Sequence, residues 1–329
     1  MEEAIAAYNQ RLTGVDTIYA SVPVPEMRDG DTRIQIHPSV YATVSTSVFP
    51  PDSMPAYWGV RVQHRISLYP AADASVKQMR QTLDAATKAA KTHDRRTCMQ
   101  MEANGEDVPG ENDRAVLATV PFLDKNMSAA YLQSGFRISS MTAYQKVEKL
   151  RAVAQAKLTA APSPISGRIT MRAPGDSDLD AIVQAVTALN DFDQECMMPR
   201  PTRESEEETS RALARLVVAG GPGWSSVATH EDEDGTALLS MYPPERSQWA
   251  AEGLKLGKPS YLGLAYTPAT WRGNGVMNHM IAGALEHAAR QEVEDIVVQY
   301  AQHNPLSSRY WVAWGFKPVI AEWVKNVSD

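Results

Sequence analysis

A chain of 329 residues, 43% apolar and 22% charged, has the composition of a globular protein with material for about two domains. Lys and Arg total 32 against 39 Asp and Glu, a formal charge of −7, which weighs against general nucleic-acid binding because that needs a basic face. The acidic balance suits a cationic substrate drawn to an acidic cleft, and equally suits plain solubility.

No run of about 18 apolar residues occurs, so no membrane span is expected. The acidic start Met1-Glu-Glu lacks the apolar region of a signal peptide, which makes the cytoplasm the expected location. Cys98 and Cys196 are the only cysteines, giving neither a disulfide framework nor a metal-ligand spacing.

In chain order, residues 2–12 read as a short amphipathic helix, followed by extended runs at 17–22, 32–36 and 41–47. Residues 57–69 alternate apolar and polar side chains, the period of a half-buried strand, and Pro70 ends them. A helix is expected over 74–91, with Val76, Met79, Leu83, Ala86 and Ala90 on one stripe. Strands are expected over 95–103, 115–120 and 138–146, with a helix over 124–134. After an Ala-, Pro- and Ser-rich stretch, the second half reads as strand 168–172, helix 176–190, loop 191–201 and a helix opening at Ser205. A hairpin pairs 225–230 with 236–242. Then come strand 260–266, a glycine turn, helix 276–290, strand 295–302, helix 305–313 and a last strand over 318–324.

The glycine turn is the most informative stretch. Arg272-Gly-Asn-Gly275 stands between an apolar strand and a helix. Glycines let the backbone turn tightly and approach a ligand. The first N–H groups of a helix lack intrahelical acceptors, and the dipole adds partial positive charge, so an anion such as phosphate suits that place. Taken alone, the same four residues also fit a sharp surface turn. No Gly-x-Gly-x-x-Gly follows an early strand, which excludes a nicotinamide-binding Rossmann enzyme.

Two motifs carry a resemblance to the GNAT superfamily of acyl-CoA-dependent acyltransferases. Pro268…Arg272-Gly-Asn-Gly275 resembles that family's phosphate-binding signature, Arg/Gln-x-x-Gly-x-Gly/Ala. Asn304…Gly315-Phe316 resembles its later signature, an Asn separated from Gly-Phe by ten residues. The resemblance covers about 165–324. It implies an α/β fold, a mixed sheet with flanking helices, in two tandem GNAT-like domains. Residues 1–150 are the expected degenerate domain, 151–165 a linker, and 166–329 the acyl-CoA-binding domain. In the first domain, Asp124…Tyr131…Gly135-Phe136 repeats the spacing of Asn304…Trp311…Gly315-Phe316. The counterpart of the glycine turn, residues 71–75, holds neither Gly nor Arg, and Asp73 there repels phosphate.

The implied ligand is acetyl-CoA or another acyl-CoA. Its expected contacts are the backbone of Leu264, Ala265 and Tyr266, the loop Arg272, Gly273, Asn274, Gly275, Val276 and Met277, and the later residues Asn304, Ser308 and Trp311. Tyr300 and Gln302 are expected on the strand opposite. Met277 departs from the signature's last Gly/Ala, and Pro268 to Arg272 is one residue longer than usual. Trp311 stands where the family often places the tyrosine that protonates the leaving thiolate, and indole is no acid. Candidates for that proton are Tyr310, Ser308 or water. Candidates for the base that frees the attacking amine are Glu231, His230, Glu195 and His303. The implied function is transfer of an acyl group, most simply acetyl, to a primary amine of a small molecule by direct attack in a ternary complex. The alternative is a non-catalytic acyl-CoA-binding sensor or partner-recruiting protein. No metal, nucleic acid or membrane enters this reading, and the expected state is a monomer or homodimer.

Overall fold

The computed structural model describes residues 1–160, 168–197 and 203–328. The first half supplies strands β1 (Thr32–His37), β2 (Val40–Val48), β3 (Val62–Pro70), β4 (Arg114–Pro121) and β5 (Arg137–Lys146). The second supplies β6 (Ile169–Arg172), β7 (Ser225–His230), β8 (Thr236–Tyr242), β9 (Pro259–Tyr266), β10 (Asp295–Ala301) and β11 (Lys317–Asn326). All lie in one mixed sheet of order β1-β2-β3-β4-β11-β5-β10-β9-β8-β7-β6. The fold is mixed α/β, with helices flanking the sheet.

The centre of the sheet shows how the halves are joined. β5, from the first half, pairs with β10 of the second. β11, from the second half, pairs with β4 of the first. The two exchanged strands pair antiparallel with each other. The side chains of this seam are buried: Met141 and Ala143 from β5, Val319, Ala321 and Trp323 from β11. One apolar cluster therefore runs through both halves, from Ile5 to Val327. Apolar alternation says which face of a strand is buried, not which strand lies beside it, so the exchange left no trace in the sequence pattern.

Each half contains one parallel strand pair, and every other neighbouring pair in the sheet is antiparallel. β3 and β4 are in register from Val62↔Arg114 to Arg65↔Leu117. β9 and β10 are in register from Pro259↔Asp295 to Leu262↔Val298. In both pairs the register ends before the strands do, so they part toward their C-terminal ends.

The helices are α1 (Glu2–Val15), α2 (Met54–Trp58), α3 (Val76–Ala103), α4 (Lys125–Gln133), α5 (Val147–Ala160), α6 (Leu179–Cys196), α7 (Glu206–Gly220), α8 (Val276–Arg290) and α9 (Ser307–Ala313). Several depart from expectation. The strand expected over 95–103 is the continuation of α3. Its residues Arg, Met, Gln, Glu and Ala are good helix formers. The apolar stripe is interrupted by His93 and Asp94, which are buried yet satisfied. Asp94 accepts from Arg114 Nη1 at 2.5 Å and lies 3.0 Å from His64 Nε2.

Residues 57–58 close α2 instead of opening β3, because Ser53 caps the helix and Pro55 stands in its first turn. Residues 17–22 form one isolated bridge, Tyr19 to Leu254, and no strand. The loop expected from residue 191 begins later, since α6 continues to Cys196. Of the expected linker, residues 151–160 belong to α5. Residues 161–165 lie outside the described residues.

Candidate functional site

The parting of β9 from β10 begins beside a bulge. β8 pairs Ser240 with Leu264 and Met241 with Leu262, so Gly263 is the extra residue on β9. A Cβ there would stand 2.5 Å from Tyr242 Cε2, so any larger residue would have to displace the Tyr242 ring. From this point on, the edge of β9 that faces β10 has no strand neighbour.

The loop between β9 and α8 follows. Trp271 is fully buried, and its indole N–H donates to Glu233 Oε2 at 2.8 Å. That anchor fixes one end of Arg272-Gly-Asn-Gly275. The Arg272 guanidinium is exposed, and its Nε donates to the Thr267 carbonyl at 3.1 Å. Gly273 and Gly275 have φ of +81° and +79°, in the left-handed region that side chains disfavour. Gly275 is the N-cap of α8, and no side chain caps this helix. Its first-turn N–H groups therefore face the loop with no side-chain acceptor of their own, the arrangement that suits an anion.

The parted strands and the loop open into one cavity of about 360 Å3. Ala265 and Tyr266 of β9 line it, as does Tyr300 of β10. So do Arg272, Gly273, Gly275, Val276 and Met277. Asn304, Tyr310 and Trp311 complete the part that the sequence had singled out. Four other residues stand apart from it. Leu264 points into a second core cluster with Ile182 and Leu213. Asn274 is exposed in the loop. Ser308 Oγ donates back to the Asn304 carbonyl at 2.7 Å. Glu231 is exposed at the end of β7, where its backbone N–H donates to the Arg168 carbonyl.

Around α9, two neighbouring side chains divide the work. Trp311 is buried and packs edge-on against Phe316, with ring centroids 5.5 Å apart. Tyr310 lines the cavity as well, and its hydroxyl donates to Asn278 Oδ1 at 2.9 Å. Burial pushes the Tyr310 phenol well above its ordinary pKa, so it holds its proton near neutrality.

Asn304 is buried at the start of α9. Its Oδ1 accepts from the N–H groups of Leu306 and Ser307, at 2.9 and 3.1 Å. Its Nδ2 donates to Asp193 Oδ1 at 2.7 Å. Asp193 lies on α6 and lines the cavity. Burial raises its carboxyl pKa, opposed by the Asn304 hydrogen bond. The sequence reading passed over Asp193 because it placed residue 193 in a loop. As part of α6 it shares a helix face with Leu189, one turn earlier, which lines the same cavity.

The other base candidates lie elsewhere. His303, Glu195 and Glu231 are exposed. His230 is half-buried, with its Nδ1 accepting from the Asp232 N–H at 3.1 Å. None of the four lines the cavity. Among the described residues no group of three His, Cys, Asp or Glu side chains is placed to hold a metal ion, and no helix is long and apolar enough to cross a membrane.

Residues 168–317 match the family model described as an acetyltransferase (GNAT) domain. Among solved structures, the chain is similar to a GCN5-related N-acetyltransferase from Sphaerobacter thermophilus, with 13% identity over 88% of this chain and 77% of that one, and a TM-score of 0.50. It also matches a tandem GNAT protein from the clavulanic acid biosynthesis pathway, with 12% identity over 99% of this chain and 95% of that one, at a TM-score of 0.45. A third match is a GCN5-related N-acetyltransferase from Kribbella flavida, with 11% identity over 98% and 95% of the two chains and a TM-score of 0.41. At 13% identity the likeness to the first of these is one of fold. No curated protein matches the chain.

Proposed function

Since residues 168–317 match the model of the acetyltransferase (GNAT) domain, we propose that the protein transfers an acyl group, most simply acetyl, from acyl-CoA to a primary amine of a small molecule. The observation that carries this reading is the meeting of three features in one cavity: the side-chain-free start of α8, the free edge of β9, and the Tyr310 hydroxyl.

Each feature has its own work. The N–H groups of the first turn of α8, with Arg272 beside them, hold the pyrophosphate of the acyl donor. Gly273 and Gly275 let the backbone come close to it. Past Leu262, the backbone of β9 offers hydrogen bonds to the extended amide arm, which takes the place of a strand neighbour. A backbone N–H near Ala265 stabilises the negative charge that develops on the thioester oxygen. Tyr310 supplies the proton to the departing sulfur: its phenol is protonated near neutrality, and its side chain lines the cavity beside Asn278, to which its hydroxyl donates. Holding both reactants in one cleft lowers the barrier by several kcal/mol in addition.

The sensor alternative was motivated by Trp311 standing in place of an acid. Tyr310, one residue earlier and reaching the cavity, removes that motive. The two readings separate in one assay, in which the purified chain is incubated with acetyl-CoA and a panel of primary amines while free thiol is followed. Thiol release that depends on the amine is expected. Acetyl-CoA binding with no release across the panel would favour a sensor.

A further inference from the structure

Acyl transfer needs its amine neutral, yet an alkyl amine arrives as an ammonium ion. The cavity holds one group suited to both states. Among the described residues that line it, Asp193 is the only carboxylate and Arg272 the only cation. Asp193 Oδ1 accepts from Asn304, whose amide is neutral and is itself fixed by accepting from the Leu306 and Ser307 N–H groups. Among the described residues no donor reaches Asp193 Oδ2, so the carboxylate charge is uncompensated and one oxygen is open. Beside it on α6, Ala188, Leu189 and Phe192 line the cavity with apolar surface, and Leu262 adds to it from β9.

We propose that Asp193 is the acceptor-site carboxylate: it holds the ammonium of a primary amine carried on an apolar body, takes one of its protons, and turns away amines that bear a neighbouring carboxylate. The inference rests on the acyl-transfer reading above. Oδ2 receives the ammonium, and Ala188, Leu189 and Phe192 take the apolar body. Once one ammonium proton has moved to Asp193, the nitrogen lone pair attacks the thioester carbon. The C–N bond forms and the C–S bond breaks. The sulfur takes a proton from Tyr310, the phenolate recovers one from the acylated nitrogen, and Asp193 returns its own to water. Ammonium and thioester thus give amide, thiol and one released proton. An α-amino acid would set its carboxylate against Asp193, and the one cation of the lining, Arg272, belongs to the anion loop before α8.

Recognition is read without turnover by calorimetric titration of 2-phenylethylamine, 2-phenylethanol and phenylalanine into the chain saturated with CoA. The amine is expected to bind at least about tenfold tighter than either analogue. Asp193→Asn keeps the size of the side chain and a partner for Asn304. It should erase that preference, lower kcat/KM for 2-phenylethylamine about a hundredfold, and leave acetyl-CoA affinity unchanged. Asp193→Glu should restore part of the preference, and Glu195→Gln should change nothing. Equal binding of amine and alcohol, tighter binding of phenylalanine, or an undiminished preference in Asp193→Asn would overturn the proposal. Failure of acetyl-CoA to bind the wild-type chain would instead bring down the acyl-transfer reading, and this inference with it.

Discussion

The molecule contains two versions of one cleft, and they differ in what fills them. In the second half, β9 and β10 part past Leu262, and the gap opens into a cavity. In the first half, β3 and β4 part past Arg65 in the same way, and α1 packs on β3. Tyr8 of α1 sets its ring edge-on against Tyr69 at 5.5 Å. Arg11 of α1 forks onto both oxygens of Asp124, at 2.6 and 2.9 Å, and donates to the Ala71 carbonyl. Asp124 stands where Asn304 stands in the other half, and the 71–75 turn stands where the glycine loop does.

The helix starts differ as well. α3 is closed by a capping box: Ser75 Oγ accepts from the Gln78 N–H, and Gln78 reaches back to the Ser75 N–H. α8 starts at a left-handed glycine with no side-chain cap. The same backbone plan therefore gives a closed, self-satisfied half and an open half with unused donors. Parting two strands leaves backbone groups to be satisfied. One half packs α1 against its parted strands and caps its helix start from within the chain, and the other leaves an uncapped helix start beside a cavity.

The largest expected effect of breaking this contrast is on stability. Arg11→Ala strips a buried carboxylate of its partner and should cost about 3–5 kcal/mol, read from chemical denaturation. Acetyl-CoA affinity should survive where the variant is still folded, because the open cleft lies in the other half. A comparable loss of acetyl-CoA affinity would mean that the two clefts are not independent.

The two tyrosines give a paired test of intermediate size. Tyr310→Phe should lower turnover roughly ten- to a hundredfold while leaving acetyl-CoA affinity unchanged. Tyr131→Phe should leave turnover alone. Among the described residues the buried Tyr131 hydroxyl has no hydrogen-bond partner, so removing it should leave stability level or raise it by about 1 kcal/mol. A drop in turnover from the second variant would place chemistry in the closed half.

The smallest effect concerns pH. Burial, and then the nearby charges of His64 and Arg96, hold the His93 imidazole below its ordinary value, with Asp31 opposing them. The fold therefore favours neutral His93, and the unfolded chain takes the proton first, near pH 6.5. Its contribution to stability is present above that pH and is lost as the pH falls through it, at no more than about 1.4 kcal/mol per pH unit. Denaturation midpoints at pH 7.5 and 5.5 should differ less in His93→Gln than in the wild type.

Legibility in the sequence followed the same divide between local and long-range features. The open cleft was readable because its loop and the start of α9 are written in short motifs with fixed spacing, Arg272-Gly-Asn-Gly275 and Asn304…Gly315-Phe316. The plugging of the other cleft by α1 was not, because the Arg11–Asp124 pair joins residues 113 apart. The length of α3 was hidden by His93 and Asp94, polar residues that a long-range network makes tolerable in the core. Asp193 was missed for a plainer reason: α6 outran its expected end by six residues, from Asn190 to Cys196. Gly263 drew no notice because a bulge depends on the register of a partner strand, which local pattern does not contain.

The contrast between the clefts is tested most directly by calorimetric titration of acetyl-CoA into three proteins: the wild type, Arg272→Ala combined with Gly275→Asp, and Asp73→Ala. One site per chain is expected in the wild type and in Asp73→Ala, with affinity lost by at least about a hundredfold in the double variant, where a carboxylate and a strained φ replace the anion loop. Two sites per chain, or undiminished binding in the double variant, would contradict the assignment of a single acyl-donor cleft to the second half.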